Sequence, residues 1–285
     1  NADLLEYMAK GGDAEKAKEL LERGLQILRD SPRMATFSGN KTAFSRQAGR
    51  IICTAAAAYD WCHAHLTEQM KTDYADQFIE IMKDMEIGWP PRRGGSIVGH
   101  SSESDLQRDM LSVGVALYDE RPDIYETVAK RLFELYVPVR NWFFPHGAYH
   151  QGNGYFGARF GATVYTQFIF ERMGAGLVYE NMDQVQHYQI QRLQADGNML
   201  PEGGGNVFRG QMGETPRAHD TIRFVAGLYK DGYLAKRAER ASRPDFFFNA
   251  LFSDFYIEPR EYDDLPLTRY YGGAFGRMVS RTGWG

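Results

Sequence analysis

An excess of basic residues is absent from this 285-residue chain: 33 Lys and Arg stand against 37 Asp and Glu, giving a net charge of −4. That balance excludes the broad positive surface of a nucleic-acid binder. It leaves room for a locally basic cleft, for which Arg92, Arg93, Arg159, Arg209 and Arg217 are the candidates. No run of about 18 apolar residues occurs, so no membrane-spanning helix is expected. No signal peptide is recognisable, but the chain begins at Asn1 rather than Met, and a leader is expected to have been removed. Cysteine is scarce, with only Cys53 and Cys62. Nine residues apart on one predicted helix, they lie about 13 Å from each other at 1.5 Å per residue. A disulfide needs Cα atoms within about 7 Å, so both are expected to be free, buried thiols. Cysteine usage therefore leaves the compartment open. The Gly-rich loops also lack a G-x-x-x-x-G-K-[ST] run or a G-x-G-x-x-G following a strand, so no phosphate cradle is expected.

What the chain does hold is helical periodicity. Asp13 is the expected N-cap of a helix over 13–29, whose apolar face repeats at Ala17, Leu20, Leu21, Leu25 and Leu28. Further helices are expected over 43–65, 67–86, 103–118, 122–139, 159–180, 181–194, 216–230, 232–240 and 243–253. Asp119 to Pro122 is a break, with proline suited to the first turn of the next helix. Three long Gly-rich loops interrupt the pattern, at 89–99, 144–157 and 196–213, and long loops in helical folds tend to carry function. Helices in successive pairs suggest an α/α toroid or solenoid. From Tyr270 to Ser280 the periodicity changes to that of a β-strand. The expected organisation is a helical domain over 1–269 and, over 270–285, the start of a β-sheet domain. Aromatics make up 14% of the chain. Trp89 and Trp142 are candidate platforms for sugar rings.

Two spaced pairs carry the chemistry. His100 and Glu103 stand three residues apart, Tyr155 and Arg159 four, and His100 precedes Tyr155 by 55 residues. This set suits β-elimination from a uronic acid. The C5 proton is poorly acidic while the adjacent carboxylate is charged. One group must neutralise that carboxylate, one must take the proton and one must protonate the departing oxygen. Tyr155 can serve as acid and, if ionised, as base. Ionising a free tyrosine at pH 7 costs about 4 kcal/mol, and a guanidinium one helical turn away lowers that cost. His100 can take or relay a proton near neutral pH. A protonated Glu103 could hydrogen-bond the uronate carboxylate. Asn153 and His150 are further candidates for contact with substrate.

These residues carry a resemblance. Tyr59-Asp60-Trp61, Gly99-His100-Ser101-Ser102-Glu103, Asn153 to Arg159 (NGYFGAR) and Met278 to Trp284 (MVSRTGW), with the 55-residue interval, resemble the heparinase II/III-like polysaccharide lyases, the heparinase II branch most of all. The resemblance covers nearly the whole chain. It implies an all-α incomplete (α/α) toroid followed by antiparallel β-sheets, here represented by a first strand. It implies cleavage of an acidic glycosaminoglycan, heparin or heparan sulfate first, to unsaturated uronate ends. By the same resemblance Tyr155 is the acid/base, His100 its partner in proton abstraction, Glu103 a carboxylate-side residue and Arg159 a support for Tyr155. A structural zinc belongs to the β-domain beyond Gly285, and no metal is expected within this chain. A polymeric extracellular substrate implies a bacterial periplasm or cell exterior. Other readings stay open: an alginate or exopolysaccharide lyase of the same shape, an (α/α) glycoside hydrolase using Glu103 with Glu202 or Asp220, and a non-catalytic glycan-binding domain.

Overall fold

Three helices in the computed structural model begin where a side chain closes their first turn. The structure describes residues 2–37, 39–91, 101–147, 149, 153–195, 198–200, 212–213, 219–239, 251, 255–273 and 275–284. They are mostly helical, with two small antiparallel sheets, and form two compact units, Asn1–Tyr136 and Val137–Gly285.

In the first unit α1 (Ala2–Ala9) leads into α2 (Ala14–Asp30), which Asp13 caps by accepting from Glu15 N at 2.9 Å. The expected stripe Ala17, Leu20, Leu21, Leu25 and Leu28 is buried. Asn40 caps α3 (Lys41–Trp61) through Ala43 N, and Thr67 caps α4 (Glu68–Asp84) through Met70 N. Each cap satisfies a backbone donor that has no partner inside its helix. α3 packs on α2 and α4, and the Tyr74 hydroxyl ties α4 to α2 by donating to Leu21 O at 2.6 Å. Cys53 and Cys62 are both free; Cys62 is buried, whereas Cys53 is only half-buried.

The helix expected over 103–118 is not regular. α5 (Ser101–Ser104) runs into a π-helical stretch, Asp105–Met110, before α6 (Leu111–Ala116) resumes. A π turn takes in one residue more than an α turn and is often found at functional sites. Here Glu103, Asp105, Gln107 and Asp109 are all buried, and the stretch packs on α3. Periodicity alone had no means of registering this, because it assumes a constant turn.

Pro122 occupies the first turn of α7 (Pro122–Arg131), as expected; a second π-helical stretch, Leu132–Tyr136, follows. α6 approaches α7 so closely that a Cβ on Gly114 would lie 2.9 Å from Tyr125 N. Backbone cannot swing aside as a long side chain can. Gly114→Ala is therefore expected to destabilise the protein by about 1–3 kcal/mol, although alanine is intrinsically the better helix former by about 1 kcal/mol. Urea unfolding checks this, and a variant at least as stable as the parent would refute the tight approach.

The second unit holds α8 (Val137–Phe143), α9 (Asn153–Arg172), α10 (Met182–Gln191), the two-residue strands β1 (Asn198–Met199) and β2 (Met212–Gly213), α11 (His219–Tyr229), α12 (Gly232–Glu239) and a hairpin of β3 (Thr268–Tyr271) with β4 (Arg277–Ser280). Its core is rich in aromatics, among them Phe144, Phe160, Phe168, Tyr179 and Phe224. Phe156 stacks on Phe160 with ring centroids 4.9 Å apart.

α9 departs from the expected span of 159–180 at both ends. It starts six residues earlier, and it stops at Arg172 because Gly174 and Gly176 take positive φ values of 80° and 69°, which glycine tolerates. Gln167 then anchors the returning chain. Its amide donates to Gly176 O at 2.8 Å and accepts from Val178 N at 2.9 Å and Tyr179 N at 2.8 Å.

The β character expected from Tyr270 begins at Thr268 and takes the form of a hairpin, with Tyr270 opposite Met278. Tyr271 packs edge-on against Tyr188 of α10 at 4.7 Å. Beyond β4, Arg281 donates to Leu193 O at 2.9 Å and its guanidinium lies 3.8 Å over the Trp284 ring. The helix expected over 243–253 lies outside the described residues apart from Leu251.

Candidate functional site

Glu103 is placed by the first unit, fully buried at the end of α5. Gln107, one turn on, reaches its Oε1 at 3.5 Å. Behind it the π-helical stretch carries two more buried acids. Asp105 Oδ2 accepts from Ser45 Oγ at 3.1 Å and from Ile87 N at 3.4 Å. Asp109 Oδ1 pairs with Arg108 Nε and receives the Cys53 thiol at 3.2 Å. Burial, reinforced by Asp109, pushes the Asp105 carboxyl well above the ordinary carboxylate range. Burial raises Asp109 as well, against the pull of Arg108. Desolvation of the sulfur and the neighbouring Asp109 likewise push the Cys53 thiol up, although the residue as a whole is half-buried, and this disfavours the thiolate.

Asp105 gives a pH signature. A carboxyl whose pKa is raised on folding holds its proton in the native state while the unfolded chain has already released it. The native state then binds more protons, and stability falls as pH rises from the ordinary carboxylate range towards the raised value. Asp105→Asn removes that ionisation while keeping an oxygen acceptor for Ser45 and Ile87 N. The variant is expected to lose stability less steeply than the parent between about pH 5 and about pH 8. Urea midpoints across that range measure the difference, and parallel slopes would count against a protonated Asp105.

In the second unit, the backbone of Asn153 and Tyr155 lies in the first turn of α9, and Arg159 follows one turn later. The expectation that Tyr155 and Arg159 share a helix face therefore holds for the backbone. The Arg159 side chain is 8% exposed. Trp142, on α8, is 58% exposed and meets Phe143 and His146 edge-on at 4.8 Å and 6.4 Å. Trp89, in the first unit, is half-buried. Arg92, Arg93, His100, His150, Glu202, Arg209 and Arg217 lie outside the described residues.

Tyr59-Asp60-Trp61 sits at the end of α3, with Tyr59 fully buried. Burial and Glu120 push the Tyr59 phenol up, so it stays protonated. Glu120 also takes His63 Nε2 at 3.3 Å and Lys71 Nζ at 3.2 Å. This knot ties the ends of α3 and α4 to the turn before α7, a structural task.

One grouping escaped the sequence reading. Asp183, His187 and Asp231 place one donor atom each within 4.8 Å of one another. Asp183 and His187 are four residues apart on α10, a spacing visible in the sequence. Asp231 lies between α11 and α12, 44 residues from His187, and no local signal links it to them. His187 Nε2 lies 2.6 Å from Asp231 Oδ2. Burial works to raise Asp231, but the hydrogen bond and charge of His187 leave it below the ordinary carboxylate range.

No protein-family model matches the chain, and no curated protein matches it.

Proposed function

We propose that this protein is a polysaccharide lyase that cleaves uronate-containing glycosaminoglycan, heparin or heparan sulfate first, by β-elimination. The observation that carries the reading is the placement of Tyr155 and Arg159 on consecutive turns of α9. Tyr155 stands in the first turn of a 20-residue helix, where the positive end of the helix dipole favours an anion. Arg159, nearly buried one turn on, is assigned to the same support of the phenolate. Both effects ease ionisation of a phenol that must give and take a proton near neutral pH.

On this reading the C5–H bond breaks with His100 and Tyr155 sharing proton abstraction. The electron pair forms the C4=C5 double bond, the C4–O bond breaks, and Tyr155 returns a proton to the leaving oxygen. Glu103, fully buried beside Gln107, is assigned to the uronate carboxylate, which requires that substrate binding open a path to it. Asn153, His150, Arg92 and Arg93 are assigned to the acidic substrate, and Trp89 and Trp142 to its sugar rings. The (α/α) toroid, a β-domain beginning at the hairpin and a periplasmic or secreted location belong to the same proposal.

A panel of heparin, heparan sulfate, chondroitin sulfate and alginate tests the substrate class. Ultraviolet absorbance of unsaturated uronate is expected to rise on heparan sulfate or heparin. A rise on alginate alone would replace the glycosaminoglycan assignment, and silence on all four would remove the lyase reading for these glycans.

A further inference from the structure

We propose that Asp183, His187 and Asp231 bind a divalent transition-metal ion, of the zinc or manganese class. The inference is independent of the lyase reading and rests on how the three donors are held. Asp183 and His187 project from one face of α10, four residues apart. Asp231 comes to them already oriented. Its Oδ1 accepts from Tyr233 N at 2.9 Å and Leu234 N at 3.2 Å, capping α12, which turns Oδ2 towards His187 Nε2 at 2.6 Å. Gln184 Nε2 donates to Asp183 Oδ2 at 2.6 Å and fixes that carboxylate in turn. Hydrogen bonds behind the ligands are the usual means of aiming a metal's donors. His187 is 8% exposed and packs edge-on to Tyr233 with ring centroids 6.2 Å apart.

The charge balance points the same way. Among the described residues no lysine or arginine forms an ion pair with Asp183 or Asp231, and the imidazole pairs with Asp231 alone. Arg260 acts on Asp231 only from a distance, with its guanidinium over the Tyr233 ring. The centre of the three donors itself therefore holds two carboxylates and one imidazole, and a cation there is attracted by both acids. The site differs from an acidic surface cluster in that a nearly buried nitrogen donor is central to it. One imidazole nitrogen with two carboxylate oxygens suits zinc or manganese. Calcium and magnesium take oxygen ligands almost throughout. Such an ion would clip α10 to the turn between α11 and α12.

Isothermal calorimetry of the intact, chelator-treated chain with zinc and with manganese chloride tests the proposal. Calcium and magnesium serve as controls, and the absorption spectrum with cobalt(II) reports on nitrogen–oxygen ligation. Saturable one-to-one binding of zinc or manganese is expected, weakened at least tenfold by Asp183→Asn and by His187→Gln, with the metal raising Tm in the parent only. Asp183→Asn leaves the His187–Asp231 hydrogen bond in place, so it separates a metal site from a plain histidine–aspartate pair. Absence of saturable binding would overturn the proposal. So would affinity unchanged in a folded Asp183→Asn variant, since the ion would then sit on other histidines.

Discussion

Tyr155→Phe is expected to lower kcat on heparan sulfate by about 10²- to 10⁴-fold, the range that positioned proton transfer contributes. The substitution removes one oxygen and leaves the ring. If Tyr155 both helps remove the C5 proton and protonates the leaving oxygen, no other atom of the side chain can replace Oη. Tyr155 stands two residues into α9, where phenylalanine is as acceptable to the helix as tyrosine. Far-ultraviolet circular dichroism and the urea midpoint are therefore expected to match the parent, with KM changed far less than kcat. This split separates chemistry from folding. A variant that keeps kcat within about threefold would remove Tyr155 from the reaction, and a fall in both rate and midpoint would assign it a structural role instead.

Gln167→Ala is expected to destabilise the second unit by about 3 kcal/mol, the largest single effect on stability anticipated here. The amide makes three hydrogen bonds to the backbone just beyond α9. Two of them satisfy the N–H groups of Val178 and Tyr179, both buried residues. Alanine would leave those donors in the interior without an acceptor, at roughly 1–3 kcal/mol for each group that water cannot reach. It would also open a cavity beside the aromatic core. Gln167→Glu keeps the acceptor but loses the donor to Gly176 O, so it is expected to cost less in neutral buffer if the carboxylate is satisfied by the same two N–H groups. Urea unfolding followed by tryptophan fluorescence measures both. A Gln167→Ala midpoint equal to the parent's would show that the returning chain is held by other contacts.

Much of the helical layout was legible because it rests on local rules. Asp13, Thr67 and Pro122 mark helix starts in the sequence and do so in the structure. The apolar stripe of α2 follows from a 3.6-residue period. The errors fall where a local rule was overridden. Residues 159–180 read as one helix from their periodicity, yet Gly174 and Gly176 turn the chain through positive φ and Gln167 fixes the turn from nine or more residues away. The π-helical stretch at Asp105–Met110 escaped detection because its buried acids are supported from α3 and from Ile87, contacts that spacing does not encode. The four-residue spacing of Tyr155 and Arg159 was legible, but Tyr155 was expected in the loop before the helix rather than in its first turn. Glu103 was legible as an acid on a helix, but its complete burial was not. Asp183 and His187 were readable as a helical pair; their meeting with Asp231 depends on the turn between α11 and α12.

One measurement separates the lyase from its rivals: new reducing ends and unsaturated-uronate absorbance followed together during digestion of heparan sulfate. β-Elimination makes one unsaturated uronate for every bond broken, so the two signals should rise in a one-to-one ratio and fall together in Tyr155→Phe. Reducing ends without absorbance would mean hydrolysis, with Glu103 as the first acid to examine, and binding without either signal would contradict catalysis altogether.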